Sequence, residues 1–184
     1  MATESLRKDH DLIEKVVKVM EVTLQMLQSG KKIPESILMP TLDFTKNFTD
    51  VCHHGKEEES LFPTLGQAGM PTKMGPIAMM LMEHEITRKI AVHMEDSAKE
   101  YLTSGSSDAL ISDLAQYIEH MNQHLWKENN RLFMMAEMYL SGISDKMNSD
   151  LDLVEKKKLE QIGKSRHDYE SLVQNLQSEI SKIN

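Results

Sequence analysis

Two stretches of this 184-residue chain carry the same chemistry at the same spacing: "HHGKEEESLFP" from His53 and "HLWKENNRLFM" from His124. Both read His, three residues, Glu, three residues, Leu-Phe. This sets His53, Glu57, Leu61 and Phe62 over His124, Glu128, Leu132 and Phe133. Upstream of each copy stands a histidine preceded by an acid, Asp9-His10 and Glu83-His84, 43 and 40 residues before its partner. One helical hairpin used twice accounts for this order. Residues four apart on an α-helix lie about 40° apart around the axis and ~6 Å along it, so the His and Glu of each copy reach the same inner volume. His10 and His84 complete a set of four imidazoles and two carboxylates, suited to two divalent metals with Glu57 and Glu128 bridging them. Mixed N and O donors without a thiolate favour iron or manganese, with zinc admissible, whereas calcium and magnesium take all-oxygen shells. Taken singly, a histidine on an apolar face is an ordinary core residue held by a hydrogen bond. The repeat, and the cost of burying an unpartnered Glu128 beside His124, weigh against that reading.

The elements that must carry these donors are written in the apolar periodicity. The first, from Glu4 to Gln28, keeps Leu6, Ile13, Val17, Met20, Leu24 and Leu27 within one arc and stops at "SGKK". A second spans about 39–65, with Pro40 in its first turn, and a third about 77–102. The fourth, 108–140, aligns Leu110, Leu114, Tyr117, Ile118, Met121, Leu125, Leu132 and Met135 on one face. After "SGISDKMNSD" comes a charged fifth segment, 150–183, with "IGKSR" as a break or kink. Aromatics are only 5%, and the eight glycines and five prolines cluster between the periodic segments, so strands are not expected. The expected fold is all-α: an antiparallel up-down-up-down four-helix bundle over 1–140, with 141–184 a C-terminal helical extension packed on it.

Bulk properties narrow the function classes. A net charge of −8, from 21 basic and 29 acidic residues, argues against a nucleic-acid partner. The N-terminal stretch has no apolar h-region, and the longest apolar run, "IAMMLM" at 77–82, is far too short for a bilayer, so a cytoplasmic protein without a membrane partner is expected. The single Cys52 excludes an intramolecular disulfide and suits a reducing compartment.

The order His, H-x3-E, His, H-x3-E on four helices resembles the hemerythrin-like family, also called HHE cation-binding domains, over about residues 4 to 140. "DHDLIEK", "CHHGKEEESLFP", "MEHEITRKI" and "HLWKENNRLFMMAE" carry the likeness. The resemblance implies a non-haem di-iron site, oxo- or hydroxo-bridged, with metal ligands His10, His53, Glu57, His84, His124 and Glu128. It implies O2 or a related small diatomic or peroxide as the ligand, for storage, delivery or sensing. The alternatives are a di-iron redox enzyme (peroxide or NO turnover, or iron-sulfur centre repair) and an iron- or redox-responsive regulatory module, whose protein partner or second copy would meet the C-terminal segment. The oxygen-carrying hemerythrins supply two histidines spaced H-x3-H from the third helix, but here Met80 and Arg88 flank His84 at those spacings. The fifth histidine is therefore missing from the motifs.

Other residues are placed by the helical wheel. His54, turned about 100° from His53, is expected at the surface or behind the site, with a supplementary ligand as the other reading. His120, one turn before His124, could replace the fifth histidine but lies near the edge of the apolar face. Tyr117 either packs or donates a hydrogen bond to a bridging group. Arg88 either pairs with carboxylates, steadies an anion or extends outward. His93 is expected to be exposed, His167 matches nothing in the repeat, and Cys52 is expected in the core. The methionines, including Met20, Met79, Met80, Met82, Met94, Met121, Met134 and Met135, read as interior fillers.

Overall fold

The computed structural model describes residues 1–183, among which the chain forms six helices. Helix α1 is Glu4–Gln28. Helix α2 covers 35–67: α-helical over Glu35–Asp43, π-helical over Phe44–His54 and Glu57–Leu61, and α-helical again over Phe62–Gln67. Helix α3 is Pro76–Ser104. Helix α4 covers 108–139, as Asp108–Lys127, a π-helical Glu128–Leu132 and Phe133–Tyr139. Helices α5 (Ser144–Ile162) and α6 (Arg166–Ile183) follow.

Two boundaries differ from the sequence reading. Helix α2 begins at Glu35, directly after an extended Pro34, so Pro40 lies inside it. The carbonyl that Pro40 leaves without a donor is that of Ser36, an exposed residue where water substitutes. The fifth segment is two helices, and it starts within "SGISDKMNSD" because Met147 and Leu151 bury themselves beside Leu61, Leu65 and Leu140. Gly163, at φ +75°, makes the left-handed turn that separates α5 from α6.

Helix α1 packs on α2 and α4, and α3 packs on the same two helices from the other side. Helices α5 and α6 both lie on α1 and α2. The apolar interior divides into two clusters. One gathers residues 12–27 of α1, 37–52 of α2, 90–101 of α3 and 110–125 of α4, with Tyr169, Val173, Leu176 and Ile180 of α6. The other gathers Leu6, Leu61, Phe62, Leu65, Ile77, Met80, Leu132 and Phe133 with α5. The repeated histidines and glutamates fall in the gap between them, in a polar layer sealed at both ends by aliphatic side chains. Most of the singled-out methionines fill this interior, but Met82 and Met134 are corrections. They sit on the outward faces of α3 and α4 and are 58% and 59% exposed.

Helix α1 has no cap of its own. Glu137 of α4 takes that role, accepting hydrogen bonds from the backbone N–H groups of Ala2 (2.8 Å) and Thr3 (2.9 Å) and from the Thr3 hydroxyl (2.7 Å). This ties the end of α1 to α4 a few turns from the polar layer. No helix among the described residues is long and apolar enough to cross a membrane.

Candidate metal centre

His10, His53, Glu57, His84, His124 and Glu128 meet in the polar layer, each at most 2% exposed. Glu57 approaches His53 Nε2 at 3.8 Å and His84 Nε2 at 3.3 Å. Glu128 approaches His10 Nε2 at 3.2 Å, His124 Nε2 at 3.4 Å and His84 Nε2 at 3.9 Å. Glu57 therefore faces imidazoles from its own helix and from α3, and Glu128 faces imidazoles from its own helix, from α1 and from α3. His54 joins them, which corrects the expectation of a surface position. It is fully buried, and its ring stacks on His84 at 3.8 Å between centroids. Three groups have donor atoms lying within 4.8 Å of one another: His10, His53 and Glu128; His54, His84 and His124; Glu57, His84 and Glu128.

The local winding explains this placement. Residues 44–54 and 57–61 of α2 are π-helical, as are 128–132 of α4. A π-turn closes i to i+5 and so rotates less per residue than an α-turn, which shifts His54 from the direction that an α-helical count gives it. A wheel drawn at α-helical pitch sends His54 outward.

Behind each imidazole stands an acceptor. The Nδ1 of His53 lies 3.2 Å from Asp9, and that of His124 lies 3.0 Å from Glu83. The Nδ1 of His10 lies 2.9 Å from the Asn129 carbonyl oxygen, and that of His84 lies 2.7 Å from Glu58. Nδ1 of His54 lies 3.3 Å from Asp50. An Nδ1–H donated outward fixes the tautomer and leaves the Nε2 lone pair directed inward. These partners follow the repeat as well. The acid before the first histidine of each hairpin holds the second histidine, and the residue after each bridging Glu holds the first histidine of the other hairpin. Lys56 and Lys127, at matching positions, pair with Asp9 (2.6 Å) and Glu83 (2.5 Å). Phe133 and Phe62, again matched, stack on His10 and His84. The double use of Asp-His and Glu-His in the sequence was the signal for Asp9 and Glu83; Asp50, four residues before His54, and Glu58 and Asn129, each directly after a glutamate of the repeat, were marked by spacing that the sequence reading did not take up.

Arg88 takes the carboxylate-pairing option. Its guanidinium donates to Asp50 (2.8 Å), Glu58 (2.7 Å) and Glu85 (2.7 Å), clamping the acceptors behind His54 and His84. On the opposite side, Lys56 also reaches Glu155 (2.7 Å), and Arg166 bridges Asp9 (2.7 Å) and Glu155 (2.9 Å), so α5 and α6 close a buried network behind His53. Burial disfavours an ionised Asp9, but Lys56, His53 and Arg166 outweigh it and hold the carboxyl well below its usual range. Burial likewise opposes charge on His84, yet Glu128, Glu57 and Glu58 push its pKa up to about 11. Glu128 stays ionised for the reciprocal reason: burial is overcome by His124, His10 and His84.

The remaining marked residues sit apart. His120 is half-buried and turns its Nε2 to the Thr87 hydroxyl (2.9 Å) and the Glu83 carbonyl (3.1 Å). Tyr117 is buried, and its hydroxyl makes no hydrogen bond of ordinary geometry among the described residues. His93 and His167 are exposed, and Cys52 is in the core, where burial pushes the thiol up to about 12.

The model for the hemerythrin HHE cation-binding domain matches residues 1–136, nearly three quarters of the chain. The chain belongs to this family. Among curated proteins, this hemerythrin-like domain is similar to uncharacterised proteins of Mycobacterium bovis and of two Mycobacterium tuberculosis strains, at 23% identity over 144 residues. The alignment covers 77% of this chain and 56% of each relative, so the chain spans little more than half the length of those proteins. No solved structure gave a significant match.

The donor set fits a cation. Among the described residues, none of the four oxygens of Glu57 and Glu128 accepts a hydrogen bond of acceptable geometry, and the Nε2 atoms of His54, His84 and His124 are likewise without one. Seven buried polar atoms in one layer, unsatisfied by protein, cost several kcal/mol unless a cation or protons take their lone pairs. In this hemerythrin-like domain the clusters are of metal-binding type.

Proposed function

We propose that the protein is a non-haem di-iron protein that binds O2 or a related small diatomic ligand for storage, delivery or sensing. The observation that carries this reading is the pair of buried carboxylates, Glu57 and Glu128, unsatisfied by hydrogen bonds and facing inward Nε2 atoms on both sides. His10 and His53 would hold one iron and His84 and His124 the other, with Glu57 and Glu128 between them. When bound, such a metal pair supplies a redox-active, Lewis-acidic centre able to take a small exogenous ligand. The chain's own part is to orient the imidazoles through Asp9, Glu83, Asn129 and Glu58, and to exclude bulk water with the aliphatic clusters on either side.

In this proposal α1 to α4 form an up-down-up-down bundle over 1–140, and 141–184 is its helical extension. The buried Tyr169, Val173, Leu176 and Ile180 of α6 support a bracing role for that extension. A cytoplasmic location agrees with a lone, reduced Cys52.

The test is anaerobic loading of the metal-free protein with ferrous iron, with optical spectra before O2, under O2 and after purging. A charge-transfer band that appears under O2 and vanishes on purging is the expected result. Irreversible oxidation on first exposure would replace the binding reading with redox turnover, and failure to take up two iron equivalents would refute the dinuclear centre.

A further inference from the structure

Through the polar layer the two hairpins repeat His, Lys, Glu and Phe at matching positions, but the residue after the second histidine differs in kind. Where the second copy has Leu125 after His124, the first has His54 after His53. Leu125 joins the apolar core, as the symmetric bundle requires. His54 instead brings a fully buried imidazole to the edge of the layer. Its ring lies flat on His84 and edge-on to His124, at 3.8 and 5.6 Å between centroids.

A buried histidine serving only as packing has both ring nitrogens satisfied, because an unmet nitrogen loses its hydration without return. His54 meets one of these needs. Nδ1 faces Asp50, which Arg88 fixes in turn, while Nε2 is buried and has no hydrogen-bond partner among the described residues. This is the same arrangement found at the other four imidazoles: an outward Nδ1 against a fixed acceptor and an Nε2 turned into the layer. One ring nitrogen each of His54, His84 and His124 falls within a common 4.8 Å.

We propose that His54 is a fifth imidazole ligand, grouped with His84 and His124, supplied by α2 in place of a second histidine on α3. This rests on the dinuclear reading above. It makes the two metal positions unequal: three imidazoles on the His84 side and two, His10 and His53, on the other. Asp50 and Arg88 are then positioning residues for His54, which gives Arg88 a reason to occupy the site flanking His84.

The experiment uses the full chain and cobalt(II) as the probe. Wild-type protein should take two equivalents. His54→Ala should keep one equivalent at wild-type affinity and bind the second at least 10- to 100-fold more weakly, with an altered visible spectrum for that equivalent; added imidazole should restore both. Two equivalents at wild-type affinity with an unchanged spectrum in His54→Ala would overturn the proposal while leaving the dinuclear centre standing. A wild-type protein that binds fewer than two equivalents would overturn both. Should His54→Ala fail to fold, proton NMR of the cobalt-loaded wild type decides alone. Each ligating imidazole contributes one strongly shifted, exchangeable Nδ1–H signal; five signals are expected, and four would exclude His54.

Discussion

Lys56 offers the sharpest separation of a buried charge from a surface one. Its side chain is 0% exposed, and its ammonium contacts Asp9 at 2.6 Å, Glu155 at 2.7 Å and the Ser5 hydroxyl at 3.0 Å. Lys56→Met keeps the length of the aliphatic stem and removes only the charge and its hydrogen bonds. Breaking a buried pair on one side costs about 3–5 kcal/mol, because the remaining charge keeps its desolvation penalty without its partner. Here Arg166 still reaches both Asp9 and Glu155, so the loss belongs at the lower end, about 3 kcal/mol. With a urea slope of about 2–3 kcal/mol/M for a chain of this size, the unfolding midpoint should fall by about 1 M. The matched control is Lys158→Met, at the same α2–α5 contact. Lys158 pairs with Glu59, which is 42% exposed, and pairs of this kind contribute at most about 1 kcal/mol. Far-UV circular dichroism of the metal-free proteins in urea reads both variants. If Lys56→Met unfolds within 0.2 M or so of Lys158→Met, the network behind His53 does not support the fold and the argument from burial is wrong.

Three further outcomes are expected. His53→Ala and Glu128→Ala should each lose at least one metal equivalent and unfold earlier, whereas the exposed His93→Ala should do neither; equal metal content by elemental analysis in all three would sink the ligand assignment. Metal uptake should release protons. Glu128, Glu57 and Glu58 hold His84 protonated up to about pH 11 against the opposing effect of burial, so a cation must displace that proton, and apparent affinity should rise about tenfold per pH unit for each proton displaced. The same protonation stabilises the metal-free fold, fully below the ordinary value of 6.5, and that support is lost as pH rises through about 11. Calorimetry of cobalt binding in buffers of different ionisation enthalpy checks the proton release, and an affinity flat from pH 6.5 to 8.5 would contradict it. Cys52, with its thiol pushed up to about 12, should resist a thiol-specific disulfide reagent at pH 8 in the native protein and react in urea; rapid native labelling would show that the core opens there.

The pairs His53–Glu57 and His124–Glu128 could be read in the sequence because each is local. His and Glu four apart depend only on one helix turn, and the second copy supplied an independent reading of the first. Helix α1 was legible to the residue, since its apolar arc ends at a glycine. His54 was not, because its direction depends on π-helical winding across Phe44–His54, and a count of residues at α-pitch carries no sign of that. The start of α2 was missed for a related reason: Pro40 is a stop or a start by local rule, and its tolerance inside the helix rests on Ser36 facing solvent. Asp50, Glu58, Asn129 and Arg166 were missed for another reason. Glu58, Asn129 and Arg166 act across a helix interface, and Asp50, one turn before His54 on the same helix, is fixed from across one by Arg88; which side chains meet there is a property of packing, as the separation of 157 positions between Asp9 and Arg166 shows.

That last separation bears on the order of events during synthesis. Every histidine and glutamate of the polar layer lies between residues 10 and 128, so all have left the ribosome while α5 and α6 are still to come. Asp9, which aims His53, gains Arg166 only when α6 emerges, and Lys56 gains Glu155 only with α5. A chain emerging N-terminus first therefore presents its donors early and fixes His53 late. Until α5 and α6 arrive, Asp9 and Lys56 lack the partners that complete the network behind His53.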